Sequence, residues 1–453
     1  MLSFLITLLY FIFILGIVVF IHELGHFIFA KKAGVYVYEF SIGMGPRLFK
    51  YNRKPKKKII NGKEVEVKDE TDYCIRAFPV GGFVQMAGEE IEVDEKIPAE
   101  KRLQSKKWHQ RFMVMVAGVM NNFILAFVIL LIIGWTSTVS LNATKIDTFN
   151  KELYPTLEAG DKVVSVNGVK VKNNDRLMLE YTVNAKKDFD IKVKHKNGEY
   201  EVITVKPVAI GKDYMVKDYD YGFSLKPTYN KDTKSVDLIV SDSKNDEIKN
   251  DSKIIAVNDI ELTGEGSYRN FIYAIKDKTE SFEVTVLDGD KKSTAKVEVK
   301  KVKKDEALAG YEFGMDFTGT PEKGFIAGIK YAVYKWLSIV EQMFFTIFYL
   351  ITGKISLNML SGPVGIYNIV GQVRTLGFTT VLALVALLNI NVGFINILPL
   401  PAFDGGHALF LIIEKIKGSP VNPKVENTIH NIFFILLMIL MLYVTFNDII
   451  KLF

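Results

Sequence analysis

Two imidazoles four residues apart, with a carboxylate beside the first, make His22-Glu-Leu-Gly-His26 the part of this chain best suited to chemistry. On a helix, positions four apart share a face, so His22 and His26 can offer two nitrogens to one Zn²⁺ while Glu23 stands beside them as general base. The same five-residue pattern arises in unrelated helices, where a buried histidine is only a hydrogen-bonded core group. Here, however, it closes an apolar run that begins at Leu2. Ionisable groups at mid-membrane cost roughly 2.5–3.5 kcal/mol each on insertion scales and are retained where they face a polar interior or a ligand. Three within five residues call for such a reason.

A catalytic zinc site normally takes three protein ligands and leaves one position open. The chain has a single cysteine, Cys74, so no Cys-based zinc site and no intramolecular disulfide can form, and the missing ligand is a histidine or a carboxylate. The best source is Asn396-Ile-Leu-Pro-Leu-Pro-Ala-Phe-Asp404-Gly-Gly-His407, where prolines break an apolar helix and glycines permit close backbone approach. Asp404 is the preferred third ligand because a carboxylate commonly fills that place; His407 is the alternative. His109, His195 and His430 read as interface or surface residues.

The elements that must position these groups follow from composition. A chain of 453 residues, 49% hydrophobic and 24% charged, with mean hydropathy +0.17, is part membrane-embedded and part water-soluble. Its net charge of +6 comes with a basic cluster, Lys50 to Lys58, that suits an anionic inner leaflet and not nucleic acid. Leu2 to Ala30, Phe112 to Trp135, Thr379 to Leu398 and Ile432 to Phe446 are near the length a span needs. The first lacks a basic leader region and a cleavage site, so it is retained. Phe325 to Ile351, interrupted by Lys330, Lys335 and Glu341, reads as a re-entrant or interfacial element.

Basic residues between the first two spans place 31–111 in the cytoplasm and everything from about 136 to 320 outside, with Trp108 and Trp135 as interface anchors. His22 then reaches the cytosolic edge of the hydrocarbon. The third span enters from outside, so Asp404 emerges at the same depth; were 325–351 a full span, Asp404 would fall on the opposite face.

The outer region repeats. Lys162-Val-Val-Ser-Val-Asn-Gly168 returns as Lys253-Ile-Ile-Ala-Val-Asn-Asp259, 91 residues on, and the Asn197-Gly198 turn returns as Asp288-Gly289 at the same offset. Gly222 and Gly314 close the two units. The stretch Leu157 to Gly168 resembles the core of PDZ domains, which bind extended peptides by strand addition. Neither copy shows the Gly-Leu-Gly-Phe carboxylate loop, so a steric filter is as good a reading as peptide capture.

Six motifs in order, His22 to His26, Phe40-Ser-Ile-Gly-Met-Gly-Pro46, Phe78-Pro-Val-Gly-Gly-Phe-Val-Gln-Met86, Gly118-Val-Met-Asn121, Ser361-Gly-Pro-Val-Gly-Ile366 and Asn391 through Asp404-Gly405, resemble the site-2 protease family, specifically its bacterial RseP-type (regulator of sigma-E protease) members with tandem PDZ domains. Phe403 departs from the leucine common before Asp-Gly. The resemblance covers nearly the whole chain. It implies a multi-pass α-helical membrane protein of about four transmembrane helices plus a re-entrant or interfacial helix, with two extracytoplasmic β-rich PDZ-like domains. The divisions expected are 1–135 and 321–453 as membrane halves, and 136–222 and 223–320 as the two β domains.

It further implies a Zn²⁺-dependent intramembrane protease of the bacterial inner membrane, with its active site near the cytoplasmic side. Its substrates would be single-pass membrane proteins such as anti-sigma factors, or signal-peptide remnants. Because a helical substrate hides its scissile carbonyls, it must be unwound, as pairing with an edge strand would do. Gly81, Gly82 and Phe83 in the β-prone stretch Ala77 to Met86, and the amides of Asn391 and Asn396, are the candidates to hold it; otherwise Gly-Gly is a turn and the asparagines pack helices. A catalytically inactive PDZ-bearing scaffold would not need Glu23 and Asp404, and a transporter would repeat its membrane segments instead of its outer ones.

Overall fold

The computed structural model describes residues 2–52, 56–60, 63–67, 71–88, 97–211, 213–230, 235–262, 266–302 and 308–450. Part of the Lys50 to Lys58 cluster, residues 53–55, therefore lies outside the described residues. The chain forms two compact units, Met1–Val139 with Lys323–Phe453, and Ser140–Glu322. In chain order the α-helices are α1 (Leu2–Lys32), α2 (Trp108–Thr136), α3 (Asn174–Asn184), α4 (Ser267–Ile275), α5 (Phe325–Ile351), α6 (Pro363–Val373), α7 (Phe378–Ile397), α8 (Asp404–Lys417) and α9 (Pro423–Ile450).

Four of them, α1, α2, α7 and α9, are long and apolar enough to cross a membrane. The fourth, short as an apolar run, gains its length because the helix continues through polar residues on both sides, from Pro423 to Ile450. Close approach of α1 and α2 is set by small residues: a Cβ on Gly25 would stand 2.2 Å from the Ala117 carbonyl oxygen. The two helices run antiparallel, with Asn121 Nδ2 donating to the Ile21 carbonyl. The histidines thus sit at one end of the bundle, while Ser3, Gly134 and the last turn of α9 sit at the other.

Length alone cannot say whether α5 crosses, since 27 residues at about 1.5 Å each make about 40 Å. Its ends decide. It begins beside the far end of α2, where Gly134 and Gly328 leave no room for a Cβ on either and Trp135 Nε1 donates to the Phe325 carbonyl. By Asn358 the chain is back at that end, bonded to Tyr443 and Asn447 of α9. There α6 starts: Gly362 and Gly365 donate their backbone N–H groups to Asp448 Oδ2 at 2.7 and 2.8 Å, which gives the Ser361-Gly-Pro-Val-Gly-Ile366 motif a capping role. The chain thus enters and leaves this helix at one end of the bundle.

Between α1 and α2 the chain forms a β element from β1 (Val37–Asn52), β2 (Lys56–Ile60), β3 (Lys63–Val67) and β4 (Asp72–Met86). The first half of β1 is sandwiched between the two halves of β4: Ser41 faces Cys74 on one side and Phe83 on the other, and Ile42 faces Ile75 and Gly82. The turn that folds β4 back runs through Gly81, at φ +78°. Among the described residues no strand pairs with the outer edge of Gly82–Met86.

The second unit contains the repeat. One sheet orders Met315–Glu322, Val139–Phe149, Lys162–Val166, Phe189–Lys194 and Tyr200–Val205; the other orders Ser224–Asn230, Ser235–Ser241, Lys253–Val257, Ser281–Asp288 and Lys291–Glu298. Each carries one helix, α3 or α4, and each turns a short hairpin after Lys162–Val166 or Lys253–Val257 on an asparagine with positive φ, Asn167 or Asn258. The boundaries expected at 222 and 320 do not cut the chain cleanly, because the edge strand of the first sheet, Met315–Glu322, arrives only after the second sheet is complete. Gly222 and Gly314 therefore introduce edge strands instead of closing units, each with a positive φ that only glycine adopts freely.

The N–H groups at these glycines are taken. Asp220 Oδ1 accepts from Gly222 at 3.0 Å, and Glu312 Oε1 accepts from Phe313 and Gly314 at 3.2 and 3.1 Å. Burial pushes the Glu312 carboxyl above its usual range despite those bonds.

Candidate active site

Three elements far apart in sequence bring the expected residues together. His22 and His26 come from the last third of α1, Asp404 from the first residue of α8, and the wall behind them from α2. The Nε2 atoms of His22 and His26 are 3.3 Å apart, and Asp404 Oδ2 lies 3.1 Å from the first and 3.2 Å from the second. Four donors about 2.0–2.1 Å from a tetrahedral zinc ion would be about 3.3 Å from one another, so the triangle has the size of one tetrahedral face.

The surrounding bonds show why these atoms converge. His26 Nδ1 is 2.8 Å from the Val114 carbonyl oxygen, which can only accept, so Nδ1 carries the proton and Nε2 a lone pair. His22 Nδ1 is 3.4 Å from the side-chain amide of Asn122, whose Oδ1 is otherwise buried without a partner; turned to offer that oxygen, the amide accepts from Nδ1–H and frees Nε2 in the same way. Two ring lone pairs and a carboxylate oxygen thus face one point. Such a set repels itself unless a cation lies among them, and carbonyl or amide backing of metal-bound histidines is the usual orienting arrangement. The residues present fit zinc.

Glycine makes room for the triangle. A Cβ on Gly118 of α2 would stand 2.3 Å from His26 Nε2 and 2.9 Å from His22 Nε2. Asp404 is fixed from behind, since a Cβ on Gly405 would meet the Leu398 carbonyl oxygen at 2.2 Å and one on Gly406 the Leu400 carbonyl oxygen at 2.5 Å. Helix α8 is tied to the start of α2 by Trp108 Nε1 donating to the Leu411 carbonyl at 2.6 Å, by the Arg111–Glu414 ion pair, and by Lys415 stacked over Trp108.

The triangle opens on a cleft of about 590 Å³ lined by Glu23, Gly82, Phe83 and the edge residues Val84 to Met86, with Arg76, Met115 and His407 at its margins. Gly82 packs over α1, where a Cβ would meet Glu23 Cγ at 3.0 Å and Val19 Cγ1 at 2.9 Å. Arg76 lies 4.9 Å over the Phe83 ring and donates to Glu39 Oε1 at 2.7 Å. Glu39 is 2% exposed. Burial alone would raise its carboxyl, but the hydrogen bond from Arg76 and the charges of Arg47 and Arg76 outweigh it and hold the group below its usual range.

Of the residues expected from sequence, His22, Glu23, His26, Asp404, Gly82 and Phe83 meet in this cleft, and Gly81 makes the turn beside it. Asn391 and Asn396 do not line it; both lie on α7, and Asn391 Oδ1 is buried without a partner. His407 is no part of the triangle: its Nδ1 faces Glu426 at 3.5 Å. His430 departs from the surface reading, with a side chain 13% exposed and its Nδ1 bonded to the Ala402 N–H. Sequence reasoning missed Asn122, picking out Asn121 beside it. An asparagine inside an apolar run was the available signal, and the fold buries it completely.

A helix-borne pair of histidines, a carboxylate beside them and a neighbouring glutamate, set among helices long and apolar enough to cross a membrane, could hold a metal ion. Peptidase family M50 matches residues 10–440. The chain is 30% identical to the zinc metalloprotease RasP of Shouchella clausii over 92% of both chains, and 30% identical to the regulator of sigma-W protease RasP of Bacillus subtilis over 92% of this chain and 91% of that one. With the zinc metalloprotease RasP of Bacillus licheniformis it shares 29% identity over 92% of both. The chain belongs to peptidase family M50, the site-2 proteases, and is a zinc metalloendopeptidase of that type.

Proposed function

We propose that His22, His26 and Asp404 hold one zinc ion and that Glu23 is the general base for hydrolysis of a peptide bond in an unwound transmembrane segment. The observation that carries this reading is the triangle of lone-pair-bearing atoms 3.1–3.3 Å apart, opening on the same cleft as Glu23. Zinc held there supplies Lewis-acid chemistry, activating water at neutral pH and polarising the scissile carbonyl. Glu23 accepts the proton of the attacking water and delivers it to the leaving amide nitrogen. The unpaired edge Gly82–Met86 offers backbone groups to an extended substrate, aligning it past Glu23, with Phe83 packing against its side chains. The turn at Gly81 aims that edge into the cleft.

Metal analysis tests the ligand set. His22→Ala and Asp404→Ala are each expected to purify without stoichiometric zinc, whereas undiminished zinc in both would remove the assigned site.

The substrates are single-pass membrane proteins. The sigma-W regulator among the relatives favours anti-sigma factors over signal-peptide remnants. The basic residues of 31–111 place the cleft at the cytoplasmic face of the inner membrane and the two PDZ-like units, 140–322, outside, where they limit the bulk of what can approach. With Cys74 replaced, a cysteine introduced at Asn197 is expected to react with an impermeant maleimide on intact spheroplasts. Reaction only after permeabilisation reverses the orientation.

A further inference from the structure

A second cluster of metal-type side chains, His407, Glu426 and His430, lies beside the first. Its hydrogen bonding argues against a second ion. The backbone N–H of Ala402 can only donate, and it donates to His430 Nδ1 at 2.9 Å. The lone pair of the neutral ring is therefore on Nδ1 and its proton on Nε2. Nε2 is the atom that faces Glu426, 3.9 Å away, and the atom that would have to bind a metal shared with that carboxylate. The ring is held in place by stacking on His407 at 4.1 Å and by the edge of Phe410 at 5.6 Å.

What this ring holds is the segment that presents Asp404. Between the end of α7 and the start of α8 the chain passes Leu398-Pro-Leu-Pro-Ala-Phe403, in which two prolines contribute no N–H. Ala402 has φ +78°, the one non-glycine positive φ among the described residues of the membrane unit. Such a conformation persists only where its surroundings over-determine it. Two bonds within the segment, Leu400 N–H to the Leu398 carbonyl and Phe403 N–H to the Leu400 carbonyl, define its turns. The bond to His430 is the one that ties it to another helix at Ala402, two residues ahead of Asp404. Because Gly405 and Gly406 are backed directly on the carbonyls of Ile397, Leu398 and Leu400, a shift of the segment is passed to Asp404.

We propose that His430 is a positioning residue: by accepting the Ala402 N–H through Nδ1 it fixes the turn that carries Asp404 against His22 and His26. The proposal rests on Asp404 being the third zinc ligand. Two substitutions separate the bond from the ring. Asparagine places Oδ1 about where Nδ1 stands and keeps the acceptor without the ring, whereas phenylalanine keeps the ring and its stacking without the acceptor.

The full chain, purified with zinc, is challenged with increasing concentrations of a competing chelator, and retained metal is measured for wild type, His430→Asn, His430→Phe and Asp404→Ala. His430→Asn is expected to hold zinc much as wild type does. His430→Phe should release it at about tenfold lower chelator, the low end of what losing an outer partner of a metal site brings. Thermal unfolding followed by helical circular dichroism should place both His430 variants near wild type, since each keeps α9 packed. His430→Phe holding zinc as tightly as wild type, or His430→Asn losing it as readily as His430→Phe, overturns the proposal. Retention of zinc by Asp404→Ala would instead refute the ligand assignment on which it rests.

Discussion

Glu23→Gln is expected to insert, to carry one zinc and to bind a membrane-spanning test substrate, yet to cleave it about 10²–10⁴-fold more slowly, the range for loss of general acid–base catalysis. The separation of effects follows from position. Glu23 is beside the ligand triangle and not part of it, so the amide, equal in size and able to hydrogen bond, leaves the His22, His26 and Asp404 donors where they are. What it removes is the ability to take a proton from water. Parallel measurement of zinc content and single-turnover cleavage checks both halves. Near wild-type turnover would assign the proton transfer to another group; loss of zinc would make Glu23 part of the metal site.

Gly118→Ala is expected to be almost as damaging, although the residue has no side chain and no chemistry. The added Cβ would stand 2.3 Å from His26 Nε2, well inside contact distance, and the neighbouring atoms on that side belong to His22. Either α2 moves away from α1, which opens the close packing at Gly25, where even a Cβ would not fit against the Ala117 carbonyl, or the imidazoles turn. Metal sites tolerate ligand displacements of about 0.2 Å. A shift of about 1 Å should therefore weaken zinc binding and lower cleavage by about 10²-fold, as misplacement on that scale does in active sites. Zinc retention under chelator competition and cleavage of the same test substrate measure the two effects. Wild-type values for both would mean that α1 and α2 do not approach as closely as these distances require.

Much of the site was legible before the fold. The four-residue spacing of His22 and His26 put them on one helical face whatever surrounds them, because helix geometry is local. The depth argument for Asp404 needed only the number of crossings between it and His22, and the 3.1 Å contact agrees with it. Apolar length located the first three candidate spans to within about four residues, while the fourth, expected at Ile432–Phe446, is longer at both ends because its helix continues through polar residues. The repeat at an offset of 91 marked the two β sheets, since hairpin turns demand particular residues at particular places.

Other features depended on contacts that no spacing encodes. Asn122 and Gly118 matter because α2 crosses α1 at the histidines; one residue along, Asn121 bonds a backbone carbonyl instead. Asn391 and Asn396, expected at the substrate, lie on α7, and on an apolar helix sequence shows that a polar group needs a partner but not which partner. The first sheet takes its edge strand from beyond the second because strand pairing is long-range: Met315–Glu322 could be read as a strand but not assigned to Val139–Phe149.

The sequence by itself picked out the groups, two histidines, a glutamate and a carboxylate expected at one depth, because helix periodicity and the expense of intramembrane charge act locally. Only the tertiary structure decided how the chemistry is held. The glycine that leaves room for the imidazoles, the amide and carbonyl that turn their lone pairs inward, the edge strand over Glu23 and the His430–Ala402 bond each join segments tens to hundreds of residues apart, and such pairings are selected by packing of the whole fold.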